Sequence, residues 1–464
     1  MTPKPSKGTS IVTKFRTISA LSNTIGRVSL RCRHCFAVVV ALLMGCGVPA
    51  PSLAQTPAAV DTTAAHPATT TALLDTTIVA GESDAQEPFK RGLNKYNQFD
   101  LGFTTLRIRY GFLVDFMTFV QNDAAKQQAK AEPDIGLRDF RFMFSGKFKT
   151  QRPLSWTMGI MYDGALKDWH LRQTGIMVGV PEISSNFFIG RTKEGYSQYK
   201  YMVGYDIWTI ERSPFLDAFV PIMADGIKWI IAAPRRHMLL NLGWFADALS
   251  EDEKFATYDR QFVGRLVYLP IATEKGKLVH VAVMGRDLKP DGGQFQAKSK
   301  PEAYLAPNYV DTGKFASDHA HTLGFEAYYR DGSWLVGGEY GWQWMDAPAA
   351  GDPMFHGGNI SVVWLATGET RGYNMVSGYF KEVSPTRTVF EGGPGAVELA
   401  LNYSYIDLDD GNLNGGKFWR ITPSVKWHLM DYLRVELAYG YGMLDRFDLE
   451  GKTQFFQGRF ITAL

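Results

Sequence analysis

Arg141, Lys147, Arg265, Arg330, Lys426, Arg434 and Arg459 stand at alternating positions beside aromatic and aliphatic neighbours. In an extended chain that spacing puts all of them on one face, the polar one. Rings of arginine or lysine around a water-filled passage replace part of an anion's hydration shell and repel cations. An arginine's planar fork also matches the oxygens of a phosphate. Glu326, Glu339, Glu398 and Glu436 share the parity of these bases, so the competing role for each base is a cross-strand ion pair inside a wall. His319 and His321 would place both rings on one side of a strand. A metal needs a third ligand, and Asp318 is the only near candidate. There is no G-x-S-x-G, no H-E-x-x-H and no phosphate-binding loop. No His-centred constellation assembles either, so neither an enzyme nor a metal or cofactor is expected.

These side chains need strands to carry them. From about Tyr96 onward apolar and polar residues alternate almost without interruption. Val397, Leu399, Leu401, Tyr403 and Tyr405 alternate with Glu398, Ala400, Asn402 and Ser404. Leu433, Val435, Leu437, Tyr439 and Tyr441 alternate with Arg434, Glu436, Ala438 and Gly440. Ile421, Val425, Trp427 and Leu429 form a third such row. The chain ends on the same pattern, with Phe456, Phe460 and Leu464 on one face and Gln457 and Arg459 on the other. Asp331-Gly332 is a tight-turn dipeptide, and Met430-Asp431 is another short break. Arg286 to His319 is a long polar stretch, expected as an extracellular loop. Strands of about ten residues with Trp and Tyr near their ends suit a wall between lipid and water. Such a wall must close on itself, because an open edge in lipid leaves backbone groups unpaired. About 370 residues at roughly 23 per strand and connection predict about 16 strands in an all-β, transmembrane antiparallel barrel.

The N-terminus reads as an export signal. Arg27, Arg31 and Arg33 precede the apolar run from Phe36 to Met44, and Ser52-Leu53-Ala54 fits cleavage after Ala54. Leu43-Met44-Gly45-Cys46 loosely resembles a rival lipoprotein signal. The expected organisation is a signal peptide over 1–54, a flexible periplasmic leader over 55–95 and the barrel over 96–464. Cleavage removes Cys32, Cys35 and Cys46, all the cysteines of the chain, together with seven basic and no acidic residues. Lys plus Arg then falls to 49 − 7 = 42 against 47 Asp plus Glu, a net charge of about −5 that gives nucleic-acid binding no support.

Short motifs in order and spacing narrow the class. Leu365-Ala366-Thr367-Gly368-Glu369-Thr370-Arg371-Gly372-Tyr373 is followed by Gly395-Ala396-Val397-Glu398-Leu399, Tyr403-Ser404 and Asp407-Leu408. Arg138, Arg141, Phe144 and Gly146 lie in one arginine-rich strand. Ile189-Gly190-Arg191-Thr192-Lys193-Glu194 and Glu211-Arg212-Ser213 complete the set. Together they resemble the phosphate-selective porin O/P family over nearly all of 96–464. The resemblance implies an outer-membrane diffusion channel, homotrimeric in the lipid and anion-preferring, with small anions such as phosphate as solutes. It also marks Arg138, Arg141, Arg191, Lys193, Arg212 and Arg371 as candidates for the anion path. Asp139, Ser145 and Asn402 stand where the family often carries Arg, Glu and Arg, which sets the phosphate preference apart from the fold. A channel for another small solute and a structural or adhesive barrel are the alternatives. Arg371 lies two residues from Glu369 on the same parity, which makes those two a candidate ion pair.

Overall fold

The structure is a computed structural model that describes residues 96–247, 258–273 and 276–464. The signal sequence, its cleavage sites, the three cysteines and the whole of the leader lie outside the described residues. Sixteen antiparallel staves run β1 Thr105–Gln121, β2 Asp134–Lys147, β3 Leu154–Asp163, then β4 in two pieces, Asp168–Leu171 and Thr174–Val180. They continue as β5 Ser185–Thr192, β6 Ala224–Ala233, β7 Met238–Ala246, β8 Tyr258–Ala272 and β9 Leu278–Pro290. The last seven are β10 His319–Asp331, β11 Trp334–Asp346, β12 Met354–Leu365, β13 Ala396–Asp410, β14 Leu413–Met430, β15 Leu433–Arg446 and β16 Leu449–Ala463. Each pairs with its successor, and β16 pairs with β1 through contacts such as Asp115 opposite Arg459, so the expected barrel is closed.

The alternation separates two faces. Phe456 and Phe460 are 40% and 43% exposed on the outside, while Gln457 and Arg459 are buried inside. Every base assigned to the polar face by parity points inward and is buried except Lys147, which is exposed at the end of β2. Trp244, Trp334, Trp344 and Trp364 stand on the outer face, as interfacial aromatics do.

Three connections fill much of the lumen. Residues 193–223, between β5 and β6, fold inward as an aromatic-rich loop with two short helices, Gln198–Tyr201 and Pro214–Phe219. Residues 291–318 also pack inward, so the stretch read as a plain extracellular loop differs on two counts: β9 continues to Pro290, and the loop behind it is partly buried. Residues 366–395 leave from the end at which the chain terminates. That end otherwise has short turns, yet here a long insert enters the barrel. Trp208, Tyr199 and Phe215 of the inward loop, Tyr379 and Phe380 of the insert, and Phe295 and Phe315 of the third connection join one hydrophobic cluster with wall residues such as Tyr328 and Phe355. Burying each such side chain contributes about 1.5–3 kcal/mol, and that apolar content draws these connections out of water.

A row of glycines seats the inward loop. Gly324, Gly341 and Gly357 lie side by side on β10, β11 and β12, facing inward. A methyl group on Gly341 would lie 2.6 Å from the Phe215 ring, and one on Gly324 would lie 2.6 Å from the Tyr196 hydroxyl. Only a wall without side chains lets the loop come that close.

Candidate functional site

The side chains that could guide an anion gather on the inner face of β15, β16 and β1 to β4, where the hydrophobic cluster reaches only through residues such as Met117, Leu444 and Phe455. Two β-bulges help to place them. Between β1 and β2 the register slips by one residue at Arg138, and the outward parity changes from Ile135 to Phe140. In β4 the pair Arg172-Gln173 interrupts the stave, and outward parity changes from Trp169 to Ile176. A bulge inserts one unpaired residue and re-aims it. Arg138 and Arg172 thereby reach the lumen beside Arg141, which regular alternation puts there.

Arg138 forks onto Glu211 of the inward loop at 2.8 and 3.0 Å and also bonds Asp139 at 2.7 Å. Arg141 binds Asp139 and lies 4.8 Å from the Tyr205 ring, whose neighbourhood also includes Arg434 at 5.4 Å. Arg212 donates to the carbonyls of Tyr199 and Met202 at 2.8 and 2.9 Å. Burial, against the pull of Glu211 and with repulsion from Arg138 and Arg141, pushes Arg212 down to about 10, so it remains a cation at neutral pH. Burial raises the Glu211 carboxyl, but Arg138 and Arg459 outweigh it and hold it well below the usual range. Arg172 donates only to the Met161 sulfur at 3.5 Å, with no carboxylate in ion-pair reach among the described residues. Arg141, Arg212 and Arg138 act on it as like charges, and Asp139 as an opposite one. Toward the end where the chain terminates, Arg107, Arg109, Arg434, Tyr205, Asp206 and Glu382 line a cavity of about 70 Å³.

The other candidates are bonded into the wall and the intruding loops. Arg191 forks onto Asp225 at 2.7 and 2.9 Å, with both side chains buried. Lys193 donates to the carbonyls of Tyr201 and Met202 at 2.9 and 3.0 Å, which ties the start of the inward loop to its first helix. Arg371 pairs with Glu398 at 2.8 and 2.9 Å and not with Glu369, which instead binds Thr367 and the Thr386 N–H. The same guanidinium donates to the carbonyls of Asp206 and Lys381, joining insert, inward loop and wall. Wall bases repeat the device. Lys426 donates to the carbonyls of Ile207 and Thr209, Arg434 to Asp206, and Arg459 to Asp115 and the Ile210 carbonyl. His321 bonds Asp287 at 2.7 Å, and its ring stacks on His319 at 6.2 Å.

Parity reasoning therefore located many of the inward bases but passed over Arg172, Arg107 and Arg109, and Lys228, Arg286 and Arg420 among the buried wall bases. The Arg107-Ile108-Arg109-Tyr110 alternation already marked two of them. For Arg172 the signal was the odd spacing between outward Trp169 and Ile176, which no regular strand allows.

The phosphate-selective porin O and P family matches residues 110–450. An uncharacterized protein of Caulobacter vibrioides is 29% identical over 180 residues, 38% of this chain and 36% of its own length, so the match spans about a third of that relative. The barrel is similar to the anion-selective porin of Comamonas acidovorans, at 11% identity over 78% of this chain and 100% of that one, with a TM-score of 0.50. It is likewise similar to the outer membrane channel DcaP of Acinetobacter baumannii, at 9% identity over 79% and 99%, also with a TM-score of 0.50. At such identities the likeness concerns the fold. With the closed sixteen-stave barrel and the match across most of its length, the chain belongs to the phosphate-selective porin O and P family of outer-membrane channels.

Proposed function

We propose that the protein is a homotrimeric diffusion channel that prefers small anions, phosphate among them, and that the path runs along Arg138, Arg141, Arg172 and Arg212. Arg191, Lys193 and Arg371 act in this reading as fasteners of the loops that shape the passage. The observation that carries it is Arg172: half-buried on the lumen side, with no carboxylate bonded to it among the described residues, and beside three further guanidiniums as well as Asp139. Like charges held together between low-dielectric walls leave a local positive potential that a mobile anion relieves. Asp139 and Glu211 cancel part of it, so the expected preference is modest, with phosphate slowing chloride current only weakly. Trimeric assembly rests on the family.

The packed lumen, whose cluster touches the staves from β6 round to β16 and β1, favours one other reading, a mostly closed structural or adhesive barrel. Planar-bilayer recording in a KCl gradient separates the possibilities. An anion-side reversal potential supports the proposal, and a cation-side one rejects it. Conductance without preference points to a channel for another small solute, and no conductance to the structural barrel.

A further inference from the structure

Arg265, His280, Glu326 and Glu339 stand on four consecutive staves, β8 to β11, and all four side chains are buried inside. Arg265 forks onto Glu326 at 3.1 and 2.6 Å, and His280 Nε2 lies 2.7 Å from the same carboxylate. Glu326 is directly opposite Glu339 on the next stave. This group fastens both intruding segments. The Gln198 N–H of the inward loop donates to Glu326 at 2.8 Å. Arg265 donates to the carbonyls of Ser377 and Gly378 in the insert at 3.1 and 2.6 Å, and His280 Nδ1 lies 2.6 Å from the Tyr373 hydroxyl.

The charges of this group do not cancel as they stand. Among these four side chains one guanidinium stands against two carboxylates, so their own neutrality requires one proton; Arg212 of the inward loop, which acts on Glu339 more weakly than Arg265, bonds only carbonyls. Glu326 has a partner for each oxygen: Oε1 accepts from Arg265 and Gln198, and Oε2 from Arg265 with His280 beside it. Neither oxygen of Glu339 has a hydrogen-bond partner in good geometry, although the Ser197 hydroxyl lies near enough to act on it. Asn359, opposite Glu339 on β12, has neither side-chain polar atom bonded, and the hydroxyls of Tyr196 and Tyr328 are also without partners. Ser197 and Tyr199 of the inward loop face it as well, and Arg265 and Arg212 are cations that act on it. A buried carboxylate without partners is costly when ionised, and two carboxylates sharing a site do not readily ionise together.

We propose that Glu339 holds the proton that keeps this cluster neutral, and that its loss loosens the inward loop and the insert from the wall, a proton-operated latch on the pore. The latch rests on the channel reading but not on any ion preference. Below the transition the cluster is neutral and the loop is seated. Above it an uncompensated negative charge lies under Ser197 and Gln198, and the seat weakens.

Single-channel recording of the full protein between roughly pH 6 and pH 10, the range in which buried carboxyl groups lose a proton, tests this. The expected result is a rise in conductance and current noise that titrates as one proton in the parent protein and is lost in Glu339→Gln. Lys200 of the same loop, pushed down to about 7 by burial, titrates in both proteins, so the difference between them isolates Glu339. The same step in Glu339→Gln, or no step in the parent, overturns the latch. Should Glu339→Gln fail to form a heat-modifiable barrel, infrared difference spectra of the parent decide. The carbonyl band of a protonated carboxylic acid should bleach on alkalinisation, and its absence at neutral pH overturns the proposal. A proton-loss band in a protein that passes no current would sink the channel reading and leave the proton site standing.

Discussion

Arg138 and Arg172 reach one part of the lumen by the same device, each being a residue of a β-bulge that breaks the alternation of its stave. They differ in what meets them there. Arg138 is neutralised by bonds to Glu211 and Asp139, whereas Arg172 bonds only a thioether and feels Asp139 from a distance among three like charges. The pair thus contains one neutralised charge and one with no bonded carboxylate, and that contrast directs the variants below.

Arg172→Gln should move the reversal potential in a KCl gradient toward cations, and Arg141→Gln with Arg212→Gln should do the same. A unit charge at about 4 Å in water is worth about 1 kcal/mol, which corresponds to roughly a fivefold change in the permeability ratio. If neither variant moves the reversal potential, these arginines have no part in the ion path.

Asp225→Asn leaves the Arg191 guanidinium buried without its carboxylate. Breaking a buried pair costs about 3–5 kcal/mol. The barrel should lose its resistance to SDS at a clearly lower temperature while its ion preference stays unchanged. A shift in preference at unaltered stability would return Arg191 to the ion path.

Gly341→Ala should displace the inward loop, because the added methyl group meets a Phe215 ring already packed on Phe219 at 5.0 Å. Overpacking of this kind costs about 1–3 kcal/mol. Larger, noisier single-channel conductance is expected, and a recording indistinguishable from the parent would mean that the loop does not set the passage.

Glu302, on the connection between β9 and β10, supplies a pH dependence. Burial pushes its carboxyl up to about 7, against the opposing pull of Arg420 and Ser404. The folded value exceeds the ordinary 4.5, so the folded chain binds a proton that the unfolded chain has released. Its contribution is fully present below about 4.5 and is lost as pH rises through about 7. Heat resistance in SDS should therefore decline across that window, and Glu302→Gln should flatten the decline.

Export is checked by mass. Cleavage after Ala54 predicts an outer-membrane form that begins at Gln55 and carries no cysteine. A lipid-modified form beginning at Cys46 would contradict it.

What the sequence by itself determined was the wall. Leu399, Leu401 and Tyr403 against Glu398, Ala400 and Asn402 is a period of two, a property of neighbouring residues that needs no knowledge of the rest of the chain. From it followed the strands, the closed barrel and the inward placement of Arg141, Arg265, Lys426, Arg434 and Arg459. Only the tertiary structure decided which bases are neutralised, since Arg371 finds Glu398 across 27 residues rather than Glu369 two positions away. It also decided that the insert enters the barrel and that Arg172 faces inward. Partner choice and bulges depend on what the neighbouring stave and the returning loops present. A side chain's parity is local, but the charge it meets in the lumen comes from chain distant in sequence.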